Sequence, residues 1–447
     1  MTEPGDGDQD ARQRLMARVQ SMRRGLDAAP RDFGDPTDFG SLPGFEELRV
    51  QRAIGNRLGL NNPYFKMHEG RAGSHTLIGN RDLINFSCYD YLGLNGHPEI
   101  LDAAQDAIRR FGVSCSASRV VAGERQVHRD LEQALAKHYT ADDAVVMVSG
   151  YATNLGVIGQ LVGPKDLIVY DAVSHNSVVM GSVLSGATRR SFAHNDLDNL
   201  DEILTANRAK YHRVLVIVEG LYSMDGDYPD LPRLIDIKRR HKAWLMVDEA
   251  HSLGVLGARG GGVAEHFGVD PREVDIWMGT LSKTLAGCGG YIAGSAVLVD
   301  YLRSLCNAFV YSVGMPPAIA ASAGKALEIM HREPERVERL QHNSRYFQAG
   351  AQSRGMNTGT APGTAVCPII VGDSVAAAYL SQRMFDCGIN VQPVLYPAVP
   401  AKTSRLRFFL TAMHSEADMD TTLSVLQEEL VALPAAMEKL TTRDGHR

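Results

Sequence analysis

Short β-branched runs, each closing in a polar or glycine-rich tail, alternate with helical patterns from about residue 100 onward. Five stand out: Ala144–Val148 before SGYATN, Leu167–Tyr170 before DAVSHNS, Val214–Val218 before EGLYSMDGD, Trp244–Val247 before DEAHS and Ile276–Met278 before GTLSK. Strands that alternate with helices predict an α/β fold with a doubly wound, mostly parallel sheet. Such a sheet binds ligands at the carboxyl ends of its strands, so the five polar tails are expected to meet along one edge. After Ile329 comes a long charged helical stretch, and beyond about residue 355 a shorter mixed segment with a strand at Pro368–Val371 predicts a smaller α/β C-terminal domain. The expected division is an arm over 1–45, an N-terminal segment over 46–100, a large domain over 101–345 that carries the site and a small domain over 346–447.

The arm is the one compositionally odd part: acidic at its start, Arg-rich through Arg24, then rich in Pro, Gly and Asp to Pro43. Within it Leu15, Val19, Met22 and Leu26 recur at helical spacing among Arg12, Arg14, Arg18, Arg23 and Arg24, which makes an amphipathic basic helix. It reads as a solvated helix packed on its own subunit, with docking to an acidic partner such as a carrier protein as the alternative. No internal repeat is visible.

Composition narrows the class. Hydrophobic residues at 44% and charged residues at 22% supply both a sizeable core and a solvated surface, and 447 residues are too many for one small core. A net charge of −6 argues against a protein that works by neutralising nucleic-acid or membrane phosphates, and favours a small-molecule substrate. Cys88, Cys115, Cys288, Cys306, Cys367 and Cys387 are scattered without a CxxC pair, as expected of reduced thiols in the cytoplasm. The most apolar stretch, 144–163, is broken by Ser149, Tyr151, Thr153, Asn154 and Gln160, so no membrane span is expected. The acidic, Gly-rich start does not resemble a signal peptide.

The strongest local string runs from Trp277 to Gly290, a strand entering a hydroxyl-rich turn with one lysine. Lys283 between Thr280, Ser282 and Thr284 suits a Schiff-base amine beside a phosphate held by hydroxyls and backbone N–H groups. A Walker A loop would need Gly immediately before the lysine, and position 282 is Ser; a plain surface lysine is the other reading. Asp248, in VDEAH at the end of an apolar run, mimics a helicase acidic box, but without a Walker A loop or a basic surplus that reading loses its nucleotide and its nucleic acid. A carboxylate there can instead keep a pyridine nitrogen protonated, which makes the ring an electron sink. His251 either bonds the ring's phenolic oxygen or caps the next helix.

Seven strings in this order resemble the α-oxoamine synthases, over about residues 50–435: NFSCYDYLGL (Asn85–Leu94), SGYATN (Ser149–Asn154), DAVSHNS (Asp171–Ser177), EGLYSMDGD (Glu219–Asp227), VDEAHSLGVLG (Val247–Gly257), MGTLSKTLAGCGGYIAG (Met278–Gly294) and YPAVPAKTSRLR (Tyr396–Arg407). The resemblance implies a fold-type-I pyridoxal-phosphate transferase, with 101–345 as its cofactor-binding domain, that joins an amino acid to an acyl thioester with loss of carbon dioxide. It implies that Lys283 bonds the cofactor and shuttles the substrate's α-proton, and that His175 stacks on the pyridine ring. Ser223 and His251 would contact the phenolic oxygen, with Asp248 at the ring nitrogen. Gly150, Tyr151 and Thr280 would hold the phosphate, with Ser312 of YSVGMPP reaching it across a homodimer with shared active sites. Arg407 would grip the amino acid's carboxylate, for which a planar bidentate donor is apt; its neighbour Arg405 reads as a surface charge.

Departures from the family pattern bear on the subgroup. Tyr89 stands where 8-amino-7-oxononanoate and 5-aminolevulinate synthases carry Asn, and in this the chain looks like serine palmitoyltransferase. Leu395 stands where bacterial serine palmitoyltransferases carry a second arginine. Ser114–Glu132 resembles synthases that work beside polyketide assembly lines, and Ser118 falls where 5-aminolevulinate synthase has Thr beside the substrate's α-carbon. The expected amino acid is serine, alanine or glycine, delivered against an acyl-CoA or acyl-carrier thioester. An 8-amino-7-oxononanoate synthase and a class I/II aminotransferase are the alternatives.

Overall fold

The computed structural model describes residues 35 and 37–442 of a chain that divides into two compact units, Met1–Asn62 and Pro63–Arg447. The basic helix expected around Leu15 to Leu26 lies outside the described residues. In the first unit a 3-10 turn at Phe39–Ser41 precedes a helix over Pro43–Arg57. Asp38 caps the turn by accepting the Gly40 N–H at 2.8 Å. Pro43 opens the helix at a position where a missing N–H costs no bond.

In the second unit the strands are β1 (His75–Ile78), β2 (Arg81–Asn85), β3 (Asp143–Met147), β4 (Leu167–Asp171), β5 (Thr188–Phe192), β6 (Val214–Glu219), β7 (Trp244–Asp248), β8 (Ile276–Thr280), β9 (Gly290–Gly294), β10 (Val366–Gly372), β11 (Ile389–Asn390), β12 (Gln392–Val394) and β13 (Ser404–Phe409). Seven of them form a sheet of order β3-β9-β8-β7-β6-β4-β5. From β8 to β5 all neighbours are parallel, whereas β9 runs antiparallel to both β3 and β8.

Each of the five apolar runs expected to be strands is one, and β5 and β9 were not foreseen. β5 is an edge strand whose Arg189 and Arg190 stay exposed, so no apolar period marks it. β9 is hidden in the sequence by its own glycines.

The sheet is buried on both faces, which is why its strands read as continuous apolar runs and not as alternation. Along β6, Val214, Val216 and Val218 enter one core cluster while Leu215 and Ile217 enter the other. Each such side chain contributes about 1.5–3 kcal/mol on burial.

Two smaller sheets complete the unit. β10, β13 and β12 are antiparallel neighbours. The hairpin β1–β2 takes β11 as a parallel partner, pairing Asn390 with Asn85, and the Phe409 N–H donates to the Phe86 carbonyl at 3.0 Å. These bonds bring the segment holding Tyr89 and Tyr91 against the end of β13. The long charged stretch after Ile329 proves to be two helices, Pro317–Arg332 and Glu335–Ser353, separated at Pro334. Among the described residues no helix is long and apolar enough to cross a membrane.

Candidate active site

The polar tails of the parallel strands converge as expected, around a cavity of about 300 Å³. Tyr89, Gly150, Tyr151, His175, Asp248, His251, Thr280 and Lys283 all line it, together with Asn154 and Glu219.

Asp248 closes β7 and is buried at 4% exposure. Its Oδ2 accepts the Asn154 side-chain N–H at 2.9 Å, and its Oδ1 accepts the Ala250 N–H at 3.0 Å. Glu219, directly opposite on β6, is equally buried. Burial first and the neighbouring Asp248 second push its carboxyl up to about 8, so Glu219 keeps its proton at neutral pH. Glu219 is used instead as an acceptor, 2.6 Å from the His175 N–H.

His175 caps the helix Asn176–Leu184 through Nδ1, which accepts the Ser177 N–H at 3.3 Å and lies 2.7 Å from the Ser177 hydroxyl. Capping and lining are compatible: the cap occupies Nδ1 and fixes the plane of a ring that borders the cavity.

Lys283 follows β8 at the cavity wall. Burial pulls its amine down to about 8 against the opposing pull of Asp248 and Glu219, which leaves a substantial neutral fraction near pH 8. Its Nζ stands 5.8 Å from the centroid of the Tyr89 ring.

His251 is held neutral, because burial and the positive charges of Lys283 and Arg407 drive its pKa well below the usual value. Its Nδ1 lies 2.6 Å from the Tyr91 hydroxyl. Burial raises the Tyr91 pKa, so that hydroxyl keeps its proton; donating it to Nδ1 places the imidazole N–H on Nε2.

One corner of the cavity lies where β3 and β8 end. Ser149 caps the helix Gly150–Leu161, and the first N–H groups of that helix have no carbonyl partner within it. A Cβ on Gly150 would come within 2.9 Å of the Thr280 hydroxyl, so only glycine lets the helix start sit this close to β8. The Thr280 hydroxyl lies 2.8 Å from that of Ser282. Free N–H groups, a helix N-terminus and paired hydroxyls form an anion cradle.

Arg407, on β13, donates to the Ser223 carbonyl at 3.1 Å and lies over the Phe409 ring, 4.7 Å from its centroid. Among the described residues no carboxylate comes within salt-bridge distance of its guanidinium, which is half-buried. Arg405 behaves oppositely, and the expectation of a surface charge there is corrected. It is 4% exposed and bonds the Asp225 carboxylate at 2.6 Å and the Met224 carbonyl at 2.9 Å, because β13 turns alternate residues to the EGLYSMDGD loop.

Ser223 meets Arg407 through its carbonyl and does not line the cavity; nor do Ser118 and Ser312. The latter two are brought together elsewhere: Ser118 bridges Val313, and the Gly314 N–H donates to the Ala117 carbonyl at 2.9 Å. Sequence reasoning missed Asn154, Glu219, Tyr91 and Phe409. The first three sit inside quoted motifs, and Asn154 falls one helical turn after Gly150, on the same face.

The aminotransferase class I and II model matches residues 81–426. The chain is 39% identical over 349 residues to the 8-amino-7-oxononanoate synthase of Symbiobacterium thermophilum, covering 78% of this chain and 88% of that one. It is 39% identical over 360 residues to the enzyme of the same name from Methylococcus capsulatus, covering 80% and 92%. Among solved structures, the serine palmitoyltransferase of Sphingomonas wittichii aligns with a TM-score of 0.84 at 31% identity, over 89% of this chain and all of that one. One from S. paucimobilis holding pyridoxal phosphate joined to myriocin aligns with a TM-score of 0.85 at 30% identity and the same coverage.

The chain belongs to the α-oxoamine synthases. It is a fold-type-I, pyridoxal-phosphate-dependent acyltransferase. This member's donor set fits the cofactor: an anion cradle at Gly150 and Thr280, the buried Asp248 carboxylate, a lysine whose amine is pulled down to about 8 and a neutral histidine face one cavity.

Proposed function

We propose that this synthase joins glycine, alanine or serine to an acyl thioester, releases carbon dioxide and leaves an α-amino ketone. Arg407 carries the reading: a half-buried guanidinium without a carboxylate partner, beside the cavity of Lys283, Asp248 and His251, suits the carboxylate of an incoming amino acid.

Bound pyridoxal phosphate supplies an electron sink for negative charge at the substrate's α-carbon. The chain's residues do the rest. The Gly150 and Tyr151 N–H groups and the Thr280 hydroxyl hold the phosphate. Asp248 keeps the ring nitrogen protonated, and Asn154 and the Ala250 N–H hold that carboxylate in place. His175 would cover the ring face and His251 Nε2–H would address the phenolic oxygen, with Ser223, which does not line the cavity as it stands, as the further residue assigned to that oxygen. Lys283 would bond the cofactor in the resting enzyme, and its amine, pulled down to about 8 by burial in the cofactor-free chain, is suited to take and return the α-proton once released. Tyr89 borders the substrate side. A homodimer completes the site, with Ser312 of one subunit reaching the other's phosphate and the adjacent Ser118 reaching its substrate. In this arrangement 101–345 carries the cofactor and 346–447 brings Arg407 to it, in a cytoplasmic enzyme.

The relatives named 8-amino-7-oxononanoate synthase, at 39% identity, favour that activity as a second reading. Purified enzyme offered panels of amino acids with acyl-CoA and acyl-carrier thioesters, with products identified by mass, separates the two by acyl chain. An α-amino ketone with carbon dioxide release is expected; a keto acid would make the chain an aminotransferase. Borohydride reduction should fix the cofactor to Lys283, and a label on another lysine would overturn the site.

A further inference from the structure

Outside the cavity, one charged cluster joins three of the loops that build it. His194, just after β5, has Nδ1 3.0 Å from Asp171 Oδ1 and Nε2 3.1 Å from both carboxylate oxygens of Asp227. Both ring nitrogens thus face carboxylates, which only accept, so the geometry requires a proton on each and makes the ring an imidazolium. Burial alone would lower its pKa, but the two carboxylates outweigh burial and lift it to about 10.

Each carboxylate anchors a working loop. Asp171 ends β4 and folds the turn before His175: its Oδ1 accepts the Val173 N–H at 2.9 Å and its carbonyl the Ser174 N–H at 3.0 Å. Asp227 ends the loop whose Ser223 carbonyl receives Arg407, and its own carbonyl accepts the Tyr222 N–H at 2.8 Å. The Tyr222 ring meets His194 edge-on at 4.6 Å. Thr360, from the C-terminal segment, donates to Asp227 Oδ2 at 2.7 Å. His194 itself does not line the cavity.

We propose that His194 is a positioning residue for the condensation, a doubly bonded cation that sets the turn bearing His175 and the loop that seats Arg407 in one fixed relation. The proposal rests on the roles given above to His175 and Arg407. Removing the cation leaves two buried carboxylates with fewer donors, and the loops relax apart; the ring-face histidine and the carboxylate grip then lose alignment together.

The test uses holoenzyme of His194→Gln and His194→Arg beside wild type. Cofactor content, far-UV circular dichroism and melting temperature are recorded first. Amino-acid affinity is then read from the change in the bound cofactor's visible absorbance on titration, which needs no thioester. For His194→Gln we expect the dissociation constant to rise and kcat per bound cofactor to fall, each by about tenfold or more, as misplaced reacting groups do. His194→Arg, whose planar fork can address two carboxylates, should recover most of both. Affinity and kcat per cofactor within about twofold of wild type in His194→Gln, or losses fully accounted for by released cofactor, would overturn the proposal. If wild type condenses no amino acid with any thioester, the functional reading fails, and the absorbance titration still decides whether His194 sets the amino-acid grip.

Discussion

Tyr91 and His251 are joined by a 2.6 Å contact between the phenol oxygen and Nδ1, closed off from solvent. Phe409 stacks parallel to the His251 ring at 6.1 Å, so the imidazole is fixed both in plane and in tautomer. The relationship crosses the chain: Tyr91 comes from the N-terminal motif, His251 from the tail of β7 and Phe409 from β13.

Tyr91→Phe removes the partner of a buried nitrogen without changing ring volume. It should cost about 1–3 kcal/mol of stability, as an unsatisfied buried polar group does. It should also lower kcat by about tenfold, the kinetic equivalent of about 1.4 kcal/mol, because His251 no longer holds its N–H on the cavity side. Thermal melts and steady-state kinetics check the two effects separately, and an unchanged kcat would detach Tyr91 from the site.

Asp248→Asn should fold normally yet bind cofactor weakly and exchange the amino acid's α-proton at a small fraction of the wild-type rate. The amide cannot hold a pyridinium, and its NH2 group would meet the donor already supplied by Asn154 at 2.9 Å. Exchange followed by proton NMR in deuterated buffer is the measurement. Wild-type exchange would remove Asp248 from the mechanism.

The sheet and the edge bearing the site were legible because a strand buried on both faces writes a continuous apolar run, and its ligand end must then turn polar. Lys283, Asp248, His175 and His251 each followed such a run. The supporting residues were less visible for physical reasons. Glu219 and Asp248 are opposed only through the β6–β7 register, which no local pattern encodes. Tyr91 and Phe409 are ordinary core aromatics by composition, and their positions depend on β11 pairing with β2 across some three hundred residues of chain. Arg405 and Arg407 are two residues apart on one strand and face the same loop, and it is the Asp225 carboxylate, bonded to Arg405 and not to Arg407, that separates an ion-paired arginine from one without a carboxylate partner among the described residues.

The carboxyl of Glu219 gives a pH signature. Its folded pKa, about 8, lies above the 4.5 of an ordinary glutamate, so between these values the unfolded chain has released a proton that the folded one still holds. Stability contributed by this group is therefore present below about pH 4.5 and lost as pH rises through about 8. Glu219→Gln keeps an acceptor for the His175 N–H and cannot ionise. Its cofactor-free form should melt higher than wild type at pH 9, with the advantage shrinking towards zero by pH 5, as the linkage of proton binding to folding requires. A pH-independent difference in melting temperature would mean that the carboxyl is already charged in the folded protein at neutral pH.

Amino-acid choice should separate the grip on the carboxylate from the room around the α-carbon. Arg407→Ala removes a charge-assisted pair common to every amino acid, so specificity constants for glycine, alanine and serine should fall together by about ten- to a hundredfold, with their order kept. Ser118 lies beside Ser312, away from the Lys283 cavity of its own subunit, so its effect on substrate would be exerted across the proposed dimer. Ser118→Thr adds one methyl, which discriminates by about 1–3 kcal/mol when it meets a substrate side chain. It should therefore lower alanine and serine relative to glycine while leaving glycine near the wild-type value. The ratios of kcat/KM for the three amino acids in wild type and both variants decide the matter. Ratios untouched by Ser118→Thr would place residue 118 outside the substrate site, and ratios rearranged by Arg407→Ala would show that Arg407 senses the side chain and not the carboxylate alone.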